Sequence, residues 1–141
     1  MCYTFVEMNA AEPRLPKNYK MIYDIIRAAG HGVHFTMSDV FARVKRRQPT
    51  IGFSTVYRGI ARLRDQGCID EIEVPGTDSA VYELAGKPHA HFRCERCETV
   101  VDVPYQLPTR TLDALAAQIG AKIEQSALTL QGRCRKCVKA R

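Results

Sequence analysis

Four cysteines in two matched pairs, Cys94-Glu95-Arg96-Cys97 and Cys134-Arg135-Lys136-Cys137, constrain this chain more than any other feature. Two intervening residues let both thiols of a pair reach one ion from a single tight turn. Two such knuckles complete a tetrahedral four-thiolate zinc site. The stretch from Glu98 to Arg133 is longer than the usual zinc-ribbon spacer and has room for a helix and a strand. An ion would therefore tie the end of the chain back onto an earlier hairpin. Two disulfides or redox-active CxxC thiols are the other uses of such pairs. Structural Zn2+ on Cys94, Cys97, Cys134 and Cys137 is the expectation, with Cys2 and Cys68 as plain thiols.

At 141 residues the chain suits one ordinary domain or two small ones, and 45% hydrophobic content allows a packed core. The N-terminus has no basic start and no long apolar run, which argues against a signal peptide. No stretch approaches the ~20 apolar residues of a membrane span. A soluble, cytoplasmic protein without membrane partners is expected, and a reducing cytosol favours thiolates on metal. The net charge of +6 is uneven: residues 1–86 carry 11 basic and 10 acidic side chains, residues 87–141 carry 10 and 5. Four thiolates around one Zn2+ would remove about two units from the second half. More telling is the window from Val40 to Arg64, where Arg43, Lys45, Arg46, Arg47, Arg58, Arg62 and Arg64 meet no acidic residue. That window is a candidate phosphate-binding surface.

The pattern before residue 85 reads as three helices and a hairpin. Ile22, Ile25, Ile26 and Ala29 form one stripe of a helix over Lys17–Ala29, stopped by Gly30. Thr36-Met37-Ser38-Asp39 resembles a capping sequence for a second helix that ends near Pro49. Ser54 is placed to cap a third over Thr55–Gln66, with Val56, Ile60 and Leu63 inward and Gly67 as terminator. Strands Ile69–Val74 and Ala80–Leu84 follow, joined by turn residues 75–79. This order is the winged-helix variant of helix-turn-helix, whose third helix enters the major groove. On that placement Ser54, Thr55, Tyr57, Arg58 and Arg62, with Lys17 at the first helix start, are the candidate DNA contacts. Arg58 suits a bidentate contact to guanine.

Ala85-Gly86-Lys87-Pro88 reads as a hinge. The expected organisation is α+β: a winged-helix DNA-binding domain over 1–84, hinge 85–88, and a small α/β dimerisation domain over 89–141 holding the four-cysteine zinc site. Strands His89–Cys94 and Thr99–Val103, a helix Pro108–Ile119 and a strand Lys122–Leu130 are expected there. So small a domain needs help to bury a core, from zinc and from dimerisation through a strand edge.

His89 and His91 alternate with Ala90, so both point to one face of a strand. If Glu95 and Arg96 form a two-residue turn, Asp102 falls opposite His89. Glu83 ends the last wing strand six residues earlier, and His34 precedes the second helix. Together His34, Glu83, His89, His91 and Asp102 offer three imidazoles and two carboxylates, a set suited to Fe2+ or Mn2+. Zn2+ can also occupy such a site in vitro, by the Irving–Williams order. A non-haem metal enzyme is a competing class, but no further acid/base pair or small organic substrate site is evident.

Ser54-Thr55-Val56-Tyr57-Arg58, Val81-Tyr82-Glu83-Leu84, His89-x-His91-x-x-Cys94-x-x-Cys97, Val100-Val101-Asp102 and the terminal Cys134-x-x-Cys137 together resemble the ferric uptake regulator family of bacterial metalloregulators. The resemblance spans nearly the whole chain. It implies a non-enzymatic, homodimeric, metal-activated repressor on an AT-rich inverted-repeat operator, with a four-thiolate zinc and a sensory site at His34, Glu83, His89, His91 and Asp102. The spacing from Glu83 to His89, with Asp102, is similar to peroxide-sensing members, in which bound iron leads to oxidation of a ligand histidine. Those members typically carry Asp where Glu83 stands. A zinc-uptake regulator is the alternative within the family, although no cysteine matches the sensory shell of such members. A second family metal site, built on extra histidine and acidic ligands, is expected to be lost, since the matching positions are Ala90, Thr109 and Ser126.

Overall fold

The computed structural model describes residues 14–140, so Cys2 lies outside the described residues. The chain divides into two compact units, one of Arg14–Lys87 and one that begins at Pro88. Among the described residues no helix is long and apolar enough to cross a membrane.

The first unit packs three helices against a small sheet. Helix α1 (Lys17–Ala29) buries Ile22, Ile25 and Ile26 and stops at Gly30, whose φ of 80° a side chain would disfavour. Strand β1 (Phe35–Thr36) leads directly into α2 (Met37–Arg47). There the capping box closes both ways: the Asp39 amide donates to Thr36 Oγ1 at 3.1 Å and the Thr36 amide to Asp39 Oδ2 at 2.8 Å. The third helix, α3, covers Phe53–Asp65 and begins earlier than the sequence suggests. Gly52, not Ser54, occupies the cap, because Phe53 belongs to the first turn and sets its ring edge-on against Phe41, 5.3 Å between centroids. Gly67 closes the helix as expected, with φ 72° and the Cys68 amide returning to the Leu63 carbonyl.

Strands β2 (Ile69–Glu73) and β3 (Ala80–Leu84) form the hairpin, and β1 adds to its other side, giving the order β1-β3-β2. The two-residue β1 is too short to show a period in sequence; its pairing of Phe35 with Tyr82 pins the entry to α2. Ile22, Ile26, Phe35, Val40, Val44, Val56, Ile60, Leu63 and Ile69 make the core. Helices α1 and α3 cross closely at Gly59, where a Cβ would stand 2.6 Å from Ile22 Cδ1.

The second unit is built on the sheet β5-β4-β6. Strand β4 (Ala90–Cys94) pairs antiparallel with β5 (Val100–Val103) and parallel with β6 (Thr129–Gly132). Helix α4 (Thr109–Ile119) ends at Gly120 in the left-handed region, with the Ala121 amide on the Ala116 carbonyl. A short α5 (Arg135–Lys139), not foreseen in the sequence, follows Cys134. The strand expected over Lys122–Leu130 shrinks to Thr129–Gly132. Ile123, Ser126 and Leu128 do not keep a period of two, and the five-residue β4 offers pairing only from His91 to Cys94. Parallel pairing has a consequence for the cysteines. Both β4 and β6 run toward the same end of the sheet, so Cys94 and, two residues past Gly132, Cys134 arrive side by side.

Candidate metal centres and nucleic-acid interface

At that end of the sheet Cys94, Cys97, Cys134 and Cys137 offer four sulfurs that lie within 4.8 Å of one another. The Cys97 and Cys134 sulfurs are 3.7 Å apart. Four sulfurs at ~2.3 Å from a central Zn2+ stand about 3.8 Å from each other in a tetrahedron, whereas a disulfide needs ~2.05 Å. The spacing therefore fits an ion and not a pair of bridges. Donors already face the sulfurs: the Cys134 amide reaches Cys94 Sγ at 3.3 Å, and Thr99 Oγ1 lies 3.2 Å from Cys97 Sγ. Hydrogen bonds from the backbone of Cys134, then of Cys97, bring the Cys94 thiol down to about 6. The Cys97 thiol is also lowered, chiefly by Thr99. Cys137 is pushed up to about 12 by its burial and by the neighbouring thiols. Four thiols converging on one point suit Zn2+, a soft-tolerant ion that binds them as thiolates.

The knuckle is wider than a two-residue turn. The Cys94 amide donates to the Thr99 carbonyl, the Glu98 amide to the Cys94 carbonyl, and Glu98 takes a positive φ of 62°. The hairpin register shifts by two residues, and Asp102 stands opposite His91 instead of His89. A shift of two keeps every side chain on its face. His89 Nε2 still lies 3.2 Å from Asp102 Oδ1, and His91 Nε2 lies 3.6 Å from the same oxygen. The two imidazoles meet edge-on with centroids 4.5 Å apart. His91 sits on the central strand, paired with Asp102 on one side and Thr129 on the other, so its backbone is fixed from both sides.

In the first unit His34 and Glu83 face each other, Nε2 to Oε2, at 3.1 Å. His34 immediately precedes β1 and Glu83 lies on β3, one residue beyond the Phe35–Tyr82 pair, so sheet pairing places them together. Their side chains are 7% and 2% exposed. An imidazole and a carboxylate taken so far from water need strong mutual or external partners. Each unit thus presents its own oxygen and nitrogen donors: His34 and Glu83 on the first, His89, His91 and Asp102 on the second. His31 is exposed in the turn after α1.

Along α3, Val56, Gly59, Ile60 and Leu63 face inward. Ser54, Tyr57, Arg58 and Arg62 are exposed and Thr55 is half-buried. Ser54, Arg58 and Arg62 recur every fourth residue and form one stripe, and Lys17 is exposed at the first position of α1. The basic window is not a single surface. Arg64 is held by Glu71 at 2.8 Å and by Asp65, and these bonds, Glu71 first, raise its pKa. At about 100° per residue, Arg43, Arg46 and Arg47 lie roughly 120–160° around α2 from Phe41, which marks the flank toward α3. They line a hollow with Ile25, Ala28 and Ala29. Sequence reasoning joined these arginines to the α3 stripe only because they are close along the chain. It also overlooked Thr99 beside Cys97, whose signal was its position two residues after the thiol.

Comparison with known proteins agrees with this geometry. The sequence model of the ferric uptake regulator family matches residues 11–131. The ferric uptake regulation protein of Bordetella parapertussis is 30% identical over 135 residues, 95% of this chain and 92% of that protein. The peroxide operon regulator of Bacillus subtilis is 25% identical over 125 residues, 88% and 83% of the two chains. The solved ferric uptake regulator from Francisella tularensis with iron superposes with a TM-score of 0.69 at 23% identity, covering 96% of this chain and 100% of the other. At that identity the superposition speaks for the fold.

Proposed function

The chain belongs to the ferric uptake regulator family of metalloregulators, and from that premise we propose that it is a homodimeric, metal-activated repressor of an AT-rich inverted-repeat operator. The observation that carries the reading is the convergence of His89 and His91 on one Asp102 oxygen. Two imidazoles and a carboxylate leave coordination positions open on Fe2+ or Mn2+, which take five or six ligands, and His34 and Glu83 offer a further pair. An ion bound to both sets supplies bonds that only one hinge angle satisfies. His34 and Glu83 then anchor the reading unit, while His89, His91 and Asp102 anchor the unit that pairs the protomers. The separation of the two α3 helices becomes fixed, and half-sites about one helical turn apart, ~34–36 Å, match the dimer in that state alone.

Dimerisation through the second unit is supported by its exposed apolar surface. Val101, Leu115, Ile119 and Leu130 are 45–68% exposed, and no residue of α4 is buried. Isolated domains rarely leave such a surface uncovered. The stripe of Ser54, Tyr57, Arg58 and Arg62, with Thr55 and Lys17, meets the operator. Cys94, Cys97, Cys134 and Cys137 hold a structural Zn2+ that closes the same unit.

The proposed regulatory ion is Fe2+ or Mn2+, since no sulfur enters the sensory set; zinc loaded in vitro would also bind. Peroxide inactivation of the iron form is part of the reading, supported by the likeness to a peroxide operon regulator. The test is His91→Ala in an operator mobility-shift titration with Mn2+. The variant loses metal-dependent binding and keeps zinc content and dimerisation. Unchanged metal-dependent affinity refutes the assignment. Loss of binding with iron plus peroxide, but not with manganese plus peroxide, decides the peroxide branch.

A further inference from the structure

Arg96 stands between the two cysteines of the first knuckle, yet its guanidinium serves the second. Nη1 donates to the Ala140 carbonyl at 2.6 Å and lies 3.5 Å from the Cys137 carbonyl. Those carbonyls sit at the C-terminal end of α5, where a helix leaves acceptors without intrahelical donors. Basic side chains commonly satisfy such carbonyls from within the same helix. Here donor and acceptors are 44 and 41 residues apart. Helix α5 has only five residues, far below the length at which a helix sustains itself in water, and it carries Cys137. Two backbone contacts also join the knuckles: the Glu95 amide to the Gly132 carbonyl at 2.8 Å, and the Cys134 amide to Cys94 Sγ at 3.3 Å. Both lie on the approach to α5. Arg96 grips its far end.

We infer that Arg96 is a clasp: it holds the last turn of α5 so that the Cys137 thiol stays within reach of the other three, and thereby slows the escape of zinc. The inference rests on the four-thiolate reading. Arg96 is a positioning residue: its guanidinium bonds carbonyls, while its backbone amide is among the donors that lower the Cys94 thiol. Loss of zinc from such a site begins with one ligand swinging away, and Cys137 sits on a five-residue helix outside the sheet, so its departure leaves the strand pairing intact. The guanidinium spans from the hairpin knuckle to the carbonyls flanking that thiol. Lysine at the same place would keep the charge but present a single point donor in place of a planar fork.

The test follows zinc release from the full-length zinc-loaded protein into an excess of a chromophoric chelator. Arg96→Ala releases zinc roughly three- to ten-fold faster than wild type, the share expected of a charge-assisted hydrogen bond after exposure to solvent. Arg96→Lys falls between the two. Arg135→Ala removes the same charge beside Cys134 without touching the clasp and matches wild type. Hydrogen exchange at the Val138 and Ala140 amides, which bond to the Cys134 and Lys136 carbonyls, accelerates in Arg96→Ala and not in Arg135→Ala. Equal release rates for Arg96→Ala and wild type, each with one zinc per protomer, overturn the clasp and leave the four-thiolate reading standing. An equal acceleration in Arg135→Ala also overturns it, as a charge effect. Wild-type protein that binds no zinc overturns both. Should Arg96→Ala fail to retain zinc through purification, the ordering of Arg96→Lys against wild type and Arg135→Ala decides.

Discussion

Replacing Asp102 by Asn tests the sensory site with the least change of shape. Asp102 Oδ1 is the oxygen toward which both His89 and His91 turn, at 3.2 and 3.6 Å, and its side chain is 34% exposed. That exposure sets the magnitude, because solvent screening applies. A carboxylate at an ordinary metal–oxygen distance of ~2.2 Å from a divalent ion gains about 4 kcal/mol even with the dielectric of bulk water. Asparagine keeps an oxygen donor but not the charge, so about half of that is lost: ~2 kcal/mol, or roughly 30-fold in affinity. The assay is fluorescence anisotropy of a labelled operator titrated with Mn2+ at fixed protein. The half-saturating Mn2+ concentration for Asp102→Asn rises about 30-fold, with zinc content, dimerisation and metal-free operator affinity unchanged. Asp113→Asn, on the exposed face of α4, serves as the charge control and leaves the midpoint in place. A midpoint for Asp102→Asn within about two-fold of wild type refutes the reasoning. So does loss of zinc or of the dimer, which would make Asp102 a structural residue.

Other outcomes follow from the same structure. Gly59→Ala puts a Cβ 2.6 Å from Ile22 Cδ1 and 3.0 Å from the Tyr19 ring; overpacking of ~2 kcal/mol outweighs a helix-propensity gain of ~1. Urea unfolding should find a net loss of about 1 kcal/mol, and a stabilised variant would show that α1 and α3 separate easily. Arg58→Ala should weaken operator binding by about 1–3 kcal/mol and relax preference at a guanine position, read by competition with single-base operator variants; uniform weakening across them would assign Arg58 to phosphate alone. Burial raises the Cys68 thiol above its ordinary value of 9.0. The folded state therefore holds that proton more tightly, and stability from this group is lost as pH climbs past 9 toward the raised value. Alkylation of Cys68 near pH 9 should be slower in native than in urea-unfolded protein, and equal rates would show the thiol to be open to solvent.

Local rules made much of the architecture legible. The Ile22–Ile26 stripe, the Thr36–Asp39 box and the glycines at 30 and 67 bound two helices and the end of a third, because each signal acts within one or two turns. The wing strands were legible for the same reason. What escaped were features settled by distant partners. Phe53 joins α3 with its half-exposed ring edge-on against Phe41 of α2, so the helix starts before Ser54. The short β1 exists because Tyr82 pairs with Phe35. Strand β6 is parallel, and its length is set by β4. At the knuckle the turn is longer than two residues, since both Cys94 and Cys97 must face one point. The mistaken register still left His89, His91 and Asp102 on one face, because an even shift preserves it. The arginines of α2 show the opposite case: adjacency in sequence to α3 said nothing of which flank they take.

The central claim is that one ion joins ligands from both units. It is met most directly by anomalous diffraction at the manganese edge from crystals of the Mn2+-loaded protein bound to its operator. The account predicts a single peak per protomer, bonded to His34 and Glu83 on one side and to His89, His91 and Asp102 on the other. A manganese ion held by one unit alone, or found away from all five side chains, would contradict it.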